Sequence, residues 1–137
     1  MACWFILIFT GWVFSPDGII NDPSEIPSVG ILEIKSFFFL LRGKSIDECL
    51  NMRRDLCIHR DENGAITLKR NHKFFFQLQG LMGISVLLRS KICIHSKEGS
   101  QNLFVVKIEF DSGVFHNLAS KVHELYFSHC LPYLLRK

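Results

Sequence analysis

The sequence predicts a globular α/β (α+β) domain with its sheet buried on both faces, and three observations carry that prediction. Hydrophobic residues make up 48% of the chain and charged residues 21%, a balance that excludes a disordered chain. Short apolar runs bounded by Gly, Pro, Asn and Asp alternate with longer segments at helical spacing. At 137 residues the chain fits one domain, 1–137, able to bury about two-thirds of its unfolded surface.

The elements follow in order. Ala2 to Phe14 is nearly all apolar and reads as one or two buried strands, Trp4 to Phe9 and Trp12 to Phe14, with Gly11 marking a turn or bulge. It is shorter than the roughly 20 apolar residues of a membrane span, and it shows neither the basic start nor the small-residue cleavage site of an export signal. No membrane partner is therefore expected. Ile19 to Ile20 and Ile31 to Lys35 are further strands, separated by a turn-rich loop from Asn21-Asp22-Pro23 to Pro27-Ser28. Ser45 followed by Glu48 forms a capping-box pattern that predicts a helix to about Leu56. Cys57 to Arg60 and Ala65 to Leu68 flank Asp61-Glu62-Asn63-Gly64, whose Asn-Gly predicts a hairpin. A helix is predicted from Asn71 to about Ile84. A second hairpin joins Val86 to His95 with Leu103 to Phe110 across Lys97-Glu98-Gly99-Ser100. Asp111 or Ser112 caps a closing helix to about Leu135, with Val114, Leu118, Val122, Leu125 and Phe127 available to pack on the sheet. The chain carries no internal repeat or low-complexity tract.

Net charge is +3, which permits nucleic-acid binding without requiring it; the distribution is more informative. Lys69, Arg70, His72 and Lys73 cluster just before Gln77, whereas Lys44, Arg53, Arg54 and Arg60 lie further upstream, with Arg53 and Arg54 reading as a solvated face. Five cysteines without a CxxC pair argue against a disulfide framework and fit a reducing compartment, cytoplasmic or nuclear. Cys57-Ile58-His59 and Cys93-Ile94-His95 repeat one Cys-x-His triplet, but structural zinc sites use closer knuckle spacing, and buried free thiols are the expectation.

Four segments carry the chemistry: Ser15-Pro16-Asp17-Gly18, Gly30-Ile31-Leu32-Glu33-Ile34-Lys35, His72 and Gln77-Leu78-Gln79. On a strand, Glu33 and Lys35 project from one face while Ile34 points into the core. Asp17, between a proline and a glycine, sits in a turn that can bring a second carboxylate to the first. Two hard oxygen donors suit Mg²⁺ or Mn²⁺, which keep several waters and need only one or two carboxylates plus a substrate phosphate. Lys73 and Gln77 can face the same site from a helix, whereas Gln79, two residues on, is turned about 200° away. Each residue also has a structural reading: Asp17 as a turn residue, Glu33 and Lys35 as a charge pair, Gln77 as a surface amide.

This ordered series, with SPDG, GILEIK and LKRNHKFFFQLQG, resembles the YqaJ-like viral recombinase family, relatives of phage lambda exonuclease within the PD-(D/E)XK nuclease superfamily. The resemblance runs from about Gly11 to the C-terminus. It implies a restriction-endonuclease-like core, a central mixed β-sheet flanked by helices, and metal-dependent hydrolysis of DNA phosphodiesters. It assigns Asp17, Glu33, Lys35 and Gln77 to catalysis, Asp17 and Glu33 to Mg²⁺ or Mn²⁺, and Lys69, Arg70, His72 and Lys73 to DNA, and it makes a homo-oligomer plausible. Two departures stand out. Family members carry an upstream helical part with a further acidic residue, so the chain is expected to be N-terminally truncated. After the lysine they continue with Cys-Pro and an aromatic, where this chain has Ser36-Phe37-Phe38, a change expected to alter a turn. An inactive DNA-binding or assembly remnant of a viral or mobile-element nuclease is therefore the alternative function.

Overall fold

Gly18–Asn21 (β1) turns back through residues 22–28 onto Val29–Ser36 (β2), and this antiparallel hairpin forms one side of the sheet. The computed structural model describes residues 15–36, 44, 46–95 and 103–136. The predicted strands within Ala2 to Phe14, the Ser45 cap and the turn at Lys97 to Ser100 lie outside them. Arg89–His95 (β5) pairs with β2 in parallel, and Leu103–Glu109 (β6) closes the other side antiparallel to β5. The result is a mixed four-stranded sheet in the order β1-β2-β5-β6. Among the described residues no helix is long and apolar enough to cross a membrane.

The parallel β2–β5 pair requires a crossover, and the intervening chain supplies it. Ile46–Met52 (α1) is shorter than the helix predicted to Leu56. The hairpin of Ile58–Arg60 (β3) and Ile66–Leu68 (β4) follows as expected. Asp61 Oδ1 accepts from the N–H groups of Asn63 and Ala65, both at 2.9 Å, and Gly64 takes φ +80, which a side chain would resist. Lys73–Ser85 (α2) then crosses one face of the sheet. Phe75, Leu78, Leu81 and Met82 from α2 share the core with Ile31, Ile92, Ile94, Val106 and Ile108 from the strands. Burial of these side chains is the main stabilising term, about 1.5–3 kcal/mol for each large one. Helix α2 ends at Val86, a β-branched residue in the left-handed region at φ 59, three residues before β5 begins.

Two expectations about faces need correction. Ile34 does not enter the core: it is 50% exposed, whereas Glu33 is 2% exposed. The reason is that α2 covers the Glu33 face, so the buried strand face is the one bearing the carboxylate. Among the described residues the opposite face leaves Val105 and Leu103 more than half exposed, so along β6 the sheet is not buried on both faces as expected. The closing helix, Ser112–Leu125 (α3), also does not pack on the sheet as expected. It lies on α2, where Gly83 leaves room for the Phe115 ring and Gly80 meets Leu118. A Cβ on Gly83 would come within 2.2 Å of that ring. Beyond a π-helical turn at Tyr126–Cys130, Leu131–Leu135 (α4) continues the rod, and Leu125 and Phe127 are exposed. Asp111 is the cap, accepting from Val114 N–H at 3.1 Å.

Candidate functional site

The β1–β2 register pairs Gly18 with Leu32, so the next residue outward sets Asp17 opposite Glu33. Directly opposed residues send their side chains to one face with Cβ atoms about 5 Å apart, and this brings the two carboxylates together. Backbone pairing stops at that point, and the Asp17 side chain takes its place: Oδ2 accepts from the Ile34 N–H at 2.8 Å. The sequence marks Asp17 as a turn residue but does not contain the Ile34 contact, which depends on where the ladder ends.

Glu33 is the centre of the arrangement. Lys35 Nζ lies 3.2 Å from Oε2, and Gln77 Nε2, reaching down from α2, donates to Oε1 at 3.2 Å. Burial raises the Glu33 pKa, the neighbouring Asp17 carboxyl adds to the rise, and Lys35 opposes it. Asp17, Lys35 and Gln77 thus converge on one buried carboxyl. An aromatic neighbour completes the pocket: the Phe74 ring lies 4.7 Å from Lys35 Nζ and 5.4 Å from Lys73 Nζ. Nothing in the sequence singles out Phe74 from its run of three phenylalanines. Along α2 a groove of about 380 Å³ leads away from Gln77, lined by Lys73, Phe76 and Leu118 among others.

The four basic positions before Gln77 divide. Lys73 stays beside the groove. His72 caps α2, its Nδ1 accepting from Phe74 N–H at 3.2 Å, and burial together with Lys73 and Lys69 lowers its pKa. Arg70 pairs with Asp111 at 2.6 Å and lies over the Phe75 ring. Lys69 turns the other way and donates to the Arg54 carbonyl at 2.7 Å. Gln79 is fully buried; it donates to the Glu109 carbonyl at 2.9 Å and accepts from Asp111 N–H at 2.8 Å, tying α2 to the start of α3.

No protein-family model matches this chain, and no curated protein or solved structure matches it. Among the described residues no group of three or more His, Cys, Asp and Glu side chains converges as a metal cluster.

Proposed function

We propose that this chain is a metal-dependent DNA nuclease of the exonuclease or recombinase type, hydrolysing phosphodiesters at Asp17, Glu33, Lys35 and Gln77. The observation that carries this reading is the convergence of two cross-strand carboxylates, an ammonium and an amide on one sheet face. The mixed sheet with its parallel β2–β5 pair and α2 on the site face supports a restriction-endonuclease-like core. Asp17 and Glu33 are hard oxygen donors that fit Mg²⁺ or Mn²⁺, and Glu33, raised by burial and by the Asp17 carboxyl against the opposing effect of Lys35, gains from a further positive charge. A bound divalent ion would polarise the scissile phosphate and acidify a coordinated water.

The chain's own residues do the positioning. Lys35, held between Glu33 and the Phe74 ring, stabilises negative charge developing on the phosphate or orients the water. Gln77 fixes the Glu33 carboxyl through Oε1 and leaves Oε2 to Lys35. Lys73, at the groove beside Gln77, contacts phosphate, with Arg70 and His72 at the same end of α2.

A second reading, an inactive DNA-binding or assembly remnant, is favoured by one observation: the described residues supply two site carboxylates and no third ligand. Cleavage of a linear duplex by purified protein in Mg²⁺ or Mn²⁺, set against excess EDTA and against Glu33→Gln, tests the proposal. Cleavage lost in both controls supports it; cleavage that persists equally in both removes these residues from the chemistry; DNA binding without cleavage leaves the remnant.

A further inference from the structure

A second charged feature lies in the crossover between β2 and α2, on segments the catalytic proposal does not use. The end of α1, strand β3 and the end of β4 enclose a cleft of about 330 Å³ whose walls include Arg53, Arg54, His59, Arg60 and Lys69, with Asp47 as the acidic member. The charges do not cancel. Asp47 is committed to Arg60 at 2.7 Å, and Arg53 is committed to Asp55 through contacts of 3.0 and 2.6 Å. Arg54 and Lys69 have no ion pair among the described residues, and the hydrogen bond from Lys69 Nζ to the Arg54 carbonyl holds both cations on one wall. A cleft with surplus cations suits an anion rich in oxygen atoms.

Burial raises the pKa of the Cys57 thiol, just before β3, while Lys69 of the cleft and Lys35 of the carboxylate site both oppose that rise, so the two ammonium groups lie within electrostatic reach of one thiol. We propose that this cleft is a backbone-phosphate site for DNA outside the Asp17–Glu33 centre, with Arg54 and Lys69 as the phosphate contacts. The choice of DNA as ligand rests on the nuclease reading above. On this account the α1–β3–β4 crossover is a clamp on a neighbouring phosphate, and Arg53 and Arg60 are held in place by their own carboxylates.

The test separates this proposal from catalysis by working in EDTA. Binding of a fluorescent 20-base-pair duplex is titrated by anisotropy over a range of salt concentrations for wild type, Arg54→Gln, Lys69→Gln and Lys121→Gln. The last removes an exposed charge from α3 and controls for net charge. Arg54 is exposed, so its replacement spares the core; thermal melting of each variant checks the fold. Arg54→Gln and Lys69→Gln are each expected to weaken binding severalfold at low salt and to reduce the slope of log affinity against log salt by about 0.9, one contact each. An Arg54→Gln slope equal to that of wild type, or a change no larger than that of Lys121→Gln, overturns the proposal. Protein that shows the slope changes yet never cuts DNA keeps the cleft and sinks the nuclease reading. Protein that cuts but whose binding is indifferent to Arg54 does the reverse.

Discussion

The two ends of the β1–β2 hairpin each hold a pair of carboxylates, and they are built in opposite ways. At the loop end, Asp22 meets Lys91 at 2.8 Å, and Glu25 meets Arg89 at 3.0 Å, Lys91 at 3.4 Å and Lys107. Arg89 also donates to the Ser28 carbonyl, so the loop is strapped to β5 and β6. Asp22 is held well below the usual carboxylate range, first by its hydrogen bond from Lys91 and then by Ser24, and Glu25 is lowered chiefly by Lys107. At the open end Lys35 meets Glu33 alone, Asp17 accepts from the Ile34 N–H, and Glu33 is raised chiefly by burial. Among the described residues three cations serve one pair and one serves the other. A carboxylate pair saturated with cations is a structural strap; a pair with one buried member and too few cations is unfavourable for the unliganded fold and gains from an added cation.

The largest expected effect breaks the comparison on activity. Glu33→Gln should abolish metal-dependent cleavage while Glu25→Gln leaves it measurable, and Lys35→Ala should lower kcat by about 10²–10³-fold with metal binding retained. Single-turnover cleavage and Mn²⁺ titration separate these outcomes, and a Glu25→Gln loss as deep as that of Glu33→Gln would erase the distinction between the two ends.

The two glutamines of α2 sharpen it next. Gln79→Leu strands the Glu109 carbonyl and the Asp111 N–H and should cost about 2 kcal/mol in urea denaturation, whereas Gln77→Ala, at an exposed position, should cost under about 0.5 kcal/mol and act on cleavage instead.

A smaller effect concerns stability against pH. Because the folded pKa of Glu33 is raised above its ordinary 4.5, the fold binds the proton more tightly than the unfolded chain; stability is therefore lost as pH rises from there through the raised value. Glu33→Gln should raise Tm by about 2–4 °C at pH 8 in metal-free buffer, with the gain vanishing toward pH 4. A destabilised Glu33→Gln protein at pH 8 would place this residue among the straps.

Asp22 has the opposite sign. Its stabilisation is present above the unfolded value of 3.8 and is lost as pH falls toward its lowered folded value. Asp22→Asn should lower Tm by about 1–2 °C at pH 7, less in high salt, with the difference closing below pH 4. A difference that grows in acid would contradict the strap.

Local chemistry made much of this legible from residues alone. Asn63-Gly64 specifies the β3–β4 turn because only a residue tolerant of positive φ fits there, and Asp111 specifies the start of α3 because its oxygen meets a helix N–H. The two-residue period of a strand sets Glu33 and Lys35 on one face, and the helical period turns Gln79 away from Gln77. These are properties of neighbours along the chain. Which sheet face is buried was decided by where α2 lies, and that reversed the expectation for Ile34 and drove Glu33 out of water. The docking of α3 on α2 was decided by Gly80 and Gly83 opposite Leu118 and Phe115, partners more than thirty residues apart. The β1–β2 register, the reach of Gln77 to Glu33 and the meeting of Arg54 with Lys69 likewise join residues distant in sequence. Periodicity and turn chemistry are local, so the sequence carried the elements and their order; burial and charge pairing depend on what packs across the sheet, so only the tertiary structure settled which carboxylates are neutralised and which are left short of positive charge.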